Sequence, residues 1–244
     1  MKKYVSLVML VAVLLLAACS NGNAKNENNK EQSTTTEEAS SAEQAQKELE
    51  AMKVEEDKVV ATVDGEEIKG KDYNSMLVQT QLRYTMSGDD PSDPEVAKSI
   101  KKEVMDNLIG QELLLQKAKD EGFSASDKEV ETELEQIKGQ FDGEKELQKA
   151  LKSQGMTLDQ LESQYADIVV VDKYVDEKIG TPKVTEKEMK IFYEDQFSKD
   201  AENPPSYEEM KDRIKDYLVE TKTQKKVQEM KDDLKKKAEI KELL

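Results

Sequence analysis

The chain has 244 residues, 37% of them charged and 5% aromatic, with a formal net charge of −16 at pH 7. A surface this acidic repels phosphate, so nucleic acid is not expected as a partner. Histidine and tryptophan are both absent. That removes Ser-His-Asp triads, Cys-His pairs and histidine metal sites, so no catalytic residue, metal site or cofactor is expected.

The chain opens with Lys2 and Lys3, an apolar stretch from Tyr4 to Leu16, and then Ala17-Ala18-Cys19. The apolar stretch is too short for the roughly 20 residues of a spanning helix, and basic, apolar and small-residue regions in that order form a secretory signal. Leu16-Ala17-Ala18-Cys19 reads as a lipobox. Cys19 is the sole cysteine, so an internal disulfide is excluded and its thiol is expected to carry a diacylglycerol. Residues 1–18 are thus the expected lipoprotein signal peptide, and the rest is expected to sit on the extracytoplasmic face of a cell membrane, anchored through Cys19. Lysine and glutamate richness with a polar tether points to a single-membrane, Gram-positive host.

Residues 19–53 are expected to be a flexible linker. Ser20-Asn21-Gly22-Asn23, Thr34-Thr35-Thr36 and Ser40-Ser41 lie in a stretch with almost no large apolar side chains, which cannot bury enough surface to fold. About thirty such residues span roughly 30 Å. Helix is expected to set in somewhere over 42–56, and the folded body to run from Val54 to Leu244.

Val59-Val60-Ala61-Thr62-Val63, Asp64-Gly65 and Glu66-Glu67-Ile68 predict a hairpin, because Asp-Gly supplies the positive φ angles of a tight turn. A lone hairpin is marginal, so Ala238–Leu244 is expected to add a strand to it. Between these ends the sequence predicts helices. Ser126-x-x-Glu129, Thr157-x-x-Gln160, Thr185-x-x-Glu188 and Ser206-x-x-Glu209 each fit a capping box, and Asp93-Pro94 marks a further start. Gly122, Gly155 and Gly180 are expected to end helices. Val96, Ile100, Val104, Leu108 and Leu115 recur at helical spacing, as do Leu158, Leu161, Tyr165, Ile168, Val171 and Val175. The last helix, from about Tyr207 to Lys236, is too long to be covered by one neighbour. The fold class is therefore mainly α: a multi-helix, arched body with a small β-hairpin joined by the C-terminal strand, behind a disordered tether.

The order of these features, with Val63-Asp64-Gly65-Glu66-Glu67-Ile68, Ile100–Gln116, Ala118–Val130, Gly155–Asp159, Val184–Glu188 and Phe192-Tyr193, resembles the N-terminal chaperone domain of SurA. It is also similar to the chaperone part of PrsA-type foldases and of trigger factor, over essentially all of residues 57–244. The resemblance implies a chaperone that holds unfolded, newly exported polypeptides. In the foldase relatives a parvulin-type prolyl isomerase domain usually precedes the final long helix. Here only Ser198–Pro205 fills that gap, and the histidines of parvulin sites are missing. The expectation is a chaperone module without the enzyme.

Adaptable, amphipathic side chains suit weak contact with unfolded chains. Met76, Leu77, Tyr84, Met86, Phe123 and Phe141 are the candidate peptide-binding residues, each also readable as core. The excess of carboxylates reads by default as a solvated acidic surface, with solubility of a loaded complex and attraction of basic segments as the functional alternative. Alternatives stay open: a prolyl cis-trans isomerase, a scaffold lipoprotein serving one partner, a solute-binding lipoprotein (which would need strands throughout the chain), and pairing into a homodimer.

Overall fold

The computed structural model describes residues 47 and 49–244, apart from 142, 154–155 and 198–204. The signal peptide, Cys19, the tether, Gly155 and most of the Ser198–Pro205 connection lie outside the described residues. The helical backbone expected over 42–56 is present at residues 47, 49 and 50 and then stops. Met52 turns inward, 6% exposed, and receives the Gln81 Nε2 donor on its sulfur at 3.4 Å. The packed body therefore begins slightly before Val54.

The described residues form two compact units: those from 47 to Glu112 together with Ala238–Leu244, and those within Leu113–Lys237. In the first, β1 (Val59–Val63) and β2 (Glu66–Lys69) form the expected hairpin, with φ of 49° at Asp64 and 95° at Gly65. β3 (Ile240–Glu242) pairs antiparallel with β1, giving the order β2-β1-β3. Val63 faces Glu66 on one side and Ile240 on the other. Asp64 clamps the return: its N–H donates to the Glu239 carbonyl at 2.9 Å and its Oδ1 accepts from the Glu239 N–H at 2.7 Å. A register slip between Val59 and Ala61 is a bulge that re-aims the strand, so that both Val60 and Ala61 are buried.

Helix α1 (Gly70–Met86) follows directly, and its N-cap, Lys69, gives no side-chain hydrogen bond. Backbone replaces the cap. The N–H groups of Gly70 and Lys71 donate to the carbonyls of Lys58 (2.7 Å) and Glu56 (2.9 Å), satisfying donors that a helix start otherwise leaves orphaned. Asn74 grips the same segment from the helix side: Oδ1 accepts from the Val54 N–H at 3.0 Å and Nδ2 donates to the Val54 carbonyl at 2.8 Å. A side chain at position 70 would place its Cβ 2.0 Å from the Glu55 carbonyl oxygen. Only glycine lets the loop lie this close.

α2 (Pro94–Asp120) starts at Asp93, whose Oδ1 accepts from the N–H groups of Glu95 and Val96 at 2.8 and 3.2 Å. Its buried Ile100, Val104, Met105, Leu108 and Ile109 belong to the first unit.

The second unit holds the end of α2 with α3 (Asp127–Lys138), α4 (Glu144–Ser153), α5 (Leu158–Ile179), α6 (Glu186–Gln196) and α7 (Tyr207–Lys235). All four expected capping boxes are formed, at Ser126, Thr157, Thr185 and Ser206. Gly122 and Gly180 close α2 and α5 with positive φ, as expected. Among the described residues three apolar clusters hold the unit. Leu134, Leu147, Leu151, Leu161 and Tyr165 join α3, α4 and the start of α5. Leu114, Ala118, Val170, Tyr174, Val175 and Val227 join α2, α5 and the far part of α7. Met189, Met210 and Ile214 join α6 to the near part of α7. With 29 residues, α7 is about 44 Å long, and two of these clusters share it, as its length predicted.

Candidate functional site

The sequence-predicted candidates separate by burial. Leu77 is 0% exposed, the core position that the sequence also allowed for it. Helical spacing places it with Tyr73, Thr80 and Gln81, which are also buried on α1. Phe123 is half-buried against the α2–α5–α7 cluster, edge-on to Tyr174 with ring centroids 5.5 Å apart. Phe141 is likewise packed against the α3–α4–α5 cluster. Both rings close cores. Tyr84 is half-buried, its hydroxyl donates to Glu103 Oε2 at 3.2 Å, and the Arg83 guanidinium sits 5.1 Å from its ring centre while pairing with Glu103. Met76 is half-buried and Met86 is 81% exposed.

Met86 ends a stripe that the sequence reading missed. Val78, Leu82 and Met86 lie four residues apart, so they share one face of α1, and all three are exposed. The spacing was legible in the sequence, but the choice between the inner and outer face was not. α1 itself carries a single carboxylate, Asp72, and two cations, Lys71 and Arg83, so its outer stripe is an uncharged strip on a highly charged chain.

A second exposed apolar surface lies on α6 and α7. Phe192 meets Tyr217 (centroids 5.0 Å apart) and Phe197 (6.3 Å), while Tyr193 stacks on Phe197 (6.0 Å) and meets Tyr207 edge-on (5.6 Å). Five of the chain's 12 aromatic residues, the sum of 8 Tyr and 4 Phe, therefore form one cluster. At its outer edge Tyr217 is 53% exposed, and Ile191, the residue before Phe192, is 49% exposed. At its inner edge the Tyr193 hydroxyl donates to the Pro205 carbonyl at 2.7 Å. The Tyr207 hydroxyl is buried with no acceptor among the described residues, and the ammonium groups of Lys190 and Lys211 each lie 5.7 Å from the Tyr207 ring centre. The sequence reading used Phe192-Tyr193 only as part of a resemblance, and Tyr217 gave no signal of its own.

Among the described residues no group of three or more Asp, Glu, Cys or His side chains is placed to hold a metal ion. Among the described residues Asp172 is the carboxyl raised most, pushed up to about 7, first by burial and then by the neighbouring Asp176 and Glu133. It lines a small hollow with Val175, Asp176, Gly180, Thr181, Val219 and Thr223. Two carboxyls are held low, at about 2: Glu129, by the Ser126 N–H, Lys173 and the Ser126 hydroxyl, and Glu188, by Lys222 and then Thr185. These are helix-capping groups. No described helix is long and apolar enough to cross a membrane. Among the described residues the surface offers two exposed apolar strips, suited to contact with polypeptide.

A family profile described as the SurA-like N-terminal domain matches residues 22–175. The chain belongs to this family. Foldase protein PrsA of Clostridium botulinum strain Langeland is 31% identical over 158 residues, covering 59% of this chain and 47% of that protein. PrsA of C. botulinum strain Hall is 30% identical over 157 residues with the same coverage. PrsA of Caldanaerobacter subterraneus subsp. tengcongensis is 28% identical over 145 residues, covering 56% and 42%. The chain spans about half the length of the curated relatives it matches. In this SurA-like chain the hairpin, α1 and α2 fall wholly within the matched residues, and the match ends inside α5. The aromatic cluster on α6 and α7 lies beyond it.

Proposed function

We propose that this chain is a membrane-anchored, extracytoplasmic chaperone that holds unfolded, exported polypeptides on exposed apolar strips and catalyses no prolyl isomerisation. The observation that carries the reading is the Val78, Leu82 and Met86 stripe on a SurA-like scaffold. Uncharged apolar side chains left in water on a chain that is 37% charged are costly unless something covers them, and an unfolded client supplies that cover through many weak contacts. Membership of a family whose relatives are named foldases points the same way. Anchoring rests on Leu16-Ala17-Ala18-Cys19, and the absence of isomerase chemistry on the lack of histidine and the shortness of the eight-residue stretch Ser198–Pro205.

The test is dilution of a denatured exported protein into the purified chain at near-equimolar ratio, read by light scattering. Suppressed aggregation is expected, weakened by Val78→Ser with Met86→Ser. Unhindered precipitation overturns the holding function. A prolyl-peptide assay is expected to show the uncatalysed rate, and acceleration overturns the non-catalytic part. Membrane fractionation is expected to release the chain on Cys19→Ala, and retention of that variant overturns the anchor.

A further inference from the structure

We infer that the exposed edge of the α6–α7 aromatic cluster takes cationic client segments, in which an aromatic or aliphatic side chain is accompanied by lysine or arginine. This deepens the reading of the chain as a polypeptide-binding chaperone and rests on it. The apolar half of the site is Tyr217, 53% exposed and with its ring centre 5.0 Å from that of Phe192, together with Ile191, 49% exposed and next to Phe192 in the chain. An aromatic side chain buries a large area at little entropic cost, so such an edge is a good anchor for a partner's ring or branched chain.

Charge selects the occupant. Asp212, Asp216 and Glu220 are exposed and four residues apart on α7. At 100° per residue each step of four advances 40° around the helix, so this row winds toward the flank of Tyr217, with Glu220 three positions beyond it and Asp216 beside it. Neither Asp212 nor Asp216 has an ion pair or hydrogen-bond partner among the described residues, and Glu220 accepts only a neutral donor, Gln224 Nε2, at 3.1 Å. Like charges in a row destabilise a helix slightly, and a cation lying along them relieves that cost. Cations are also present. Arg213, on the same flank, reaches back toward Met210 Sδ at 3.9 Å. Lys190 and Lys211 lie against the Tyr207 ring and both pair with Glu186, at 3.6 and 3.4 Å. Ile191 has Lys187 one turn before it and Asp195 one turn after. The outer flank of Tyr217 is thus net acidic, and a client with tyrosine or leucine beside lysine matches both halves.

Fluorescence anisotropy of the full chain with three short labelled peptides tests the assignment: tyrosine and leucine interspersed with lysine, the same with glutamate for lysine, and the same lysines with serine for the apolar residues. The first peptide is expected to bind best, and to weaken about tenfold with Tyr217→Ala or Ile191→Ser, the weight of one anchoring side chain. It is also expected to weaken with Asp212→Asn, Asp216→Asn and Glu220→Gln combined, and as salt rises from about 0.05 to 0.5 M. Glu229→Gln, farther along α7, is the charge control and should leave binding unchanged. Equal binding of the glutamate peptide, or unchanged binding by the patch variants, overturns the inference. If those same variants still suppress client aggregation, the chaperone reading stands without this site. If no form of the chain suppresses aggregation, both fall.

Discussion

Lys173 reaches Glu129 across 44 positions of sequence, with its Nζ 2.9 and 3.1 Å from the two carboxylate oxygens. The same ammonium donates to the Ser124 carbonyl at 2.8 Å. Glu129 is the capping-box residue of α3, so one lysine of α5 fastens both the cap and the chain that enters it. The device recurs. Lys222 of α7 lies 2.7 Å from Glu188, the capping residue of α6, and donates to the Lys183 carbonyl at 2.8 Å. In both cases the carbonyl belongs to the residue two before the N-cap.

This arrangement has a pH signature. The Glu129 carboxyl is held at about 2 against an ordinary 4.5. Its contribution to stability is therefore full above about 4.5 and is lost as pH falls from there through about 2. Lys173→Met should lower the urea midpoint at pH 7 and converge with the parent chain as pH approaches 2. Because the pair is exposed, the difference should also shrink at high salt.

Asp172 has the opposite sign. Its folded-state value, about 7, lies above the ordinary 3.8, so the folded chain holds the proton more tightly and loses stability as pH rises from about 3.8 through 7. Asp172→Asn should match the parent near pH 4 and exceed it at pH 8, by on the order of 2 kcal/mol. Chemical denaturation at the two pH values checks this.

Gly70→Ala should destabilise by roughly 2–4 kcal/mol, since its Cβ would fall 2.0 Å from the Glu55 oxygen and push away the loop that caps α1. Asn74→Ala, which leaves the Val54 N–H and carbonyl without their partner, should cost about 1–3 kcal/mol. The two act on one contact, so the double variant should lose less than the sum, as read by a double-mutant cycle.

The two faces of α1 should respond differently. Leu77→Ala removes a fully buried side chain and is expected to cost about 2–5 kcal/mol. Met86→Ser, at an exposed position, should stay within about 0.5 kcal/mol of the parent. Thermal unfolding of both variants tests the inward and outward assignment directly.

What the sequence determined by itself was local. Four capping boxes, the Asp93-Pro94 start and the Asp64-Gly65 turn are specified by residues within a few positions of one another, and each formed as read. Even the closing strand was legible, because a two-stranded hairpin needs a third partner and Ala238–Leu244 was the remaining strand-like stretch. Only the tertiary structure decided which side of each helix meets water. Leu77 and Val78 are neighbours of similar chemistry, yet one is buried and the other half exposed, because burial depends on what packs against the helix and not on the helix's own pattern. The same holds for the α6–α7 cluster. Phe192 and Tyr217 are 25 residues apart, and their rings come within 5.0 Å only through the packing of Met189 against Met210 and Ile214, a long-range contact that no local rule encodes.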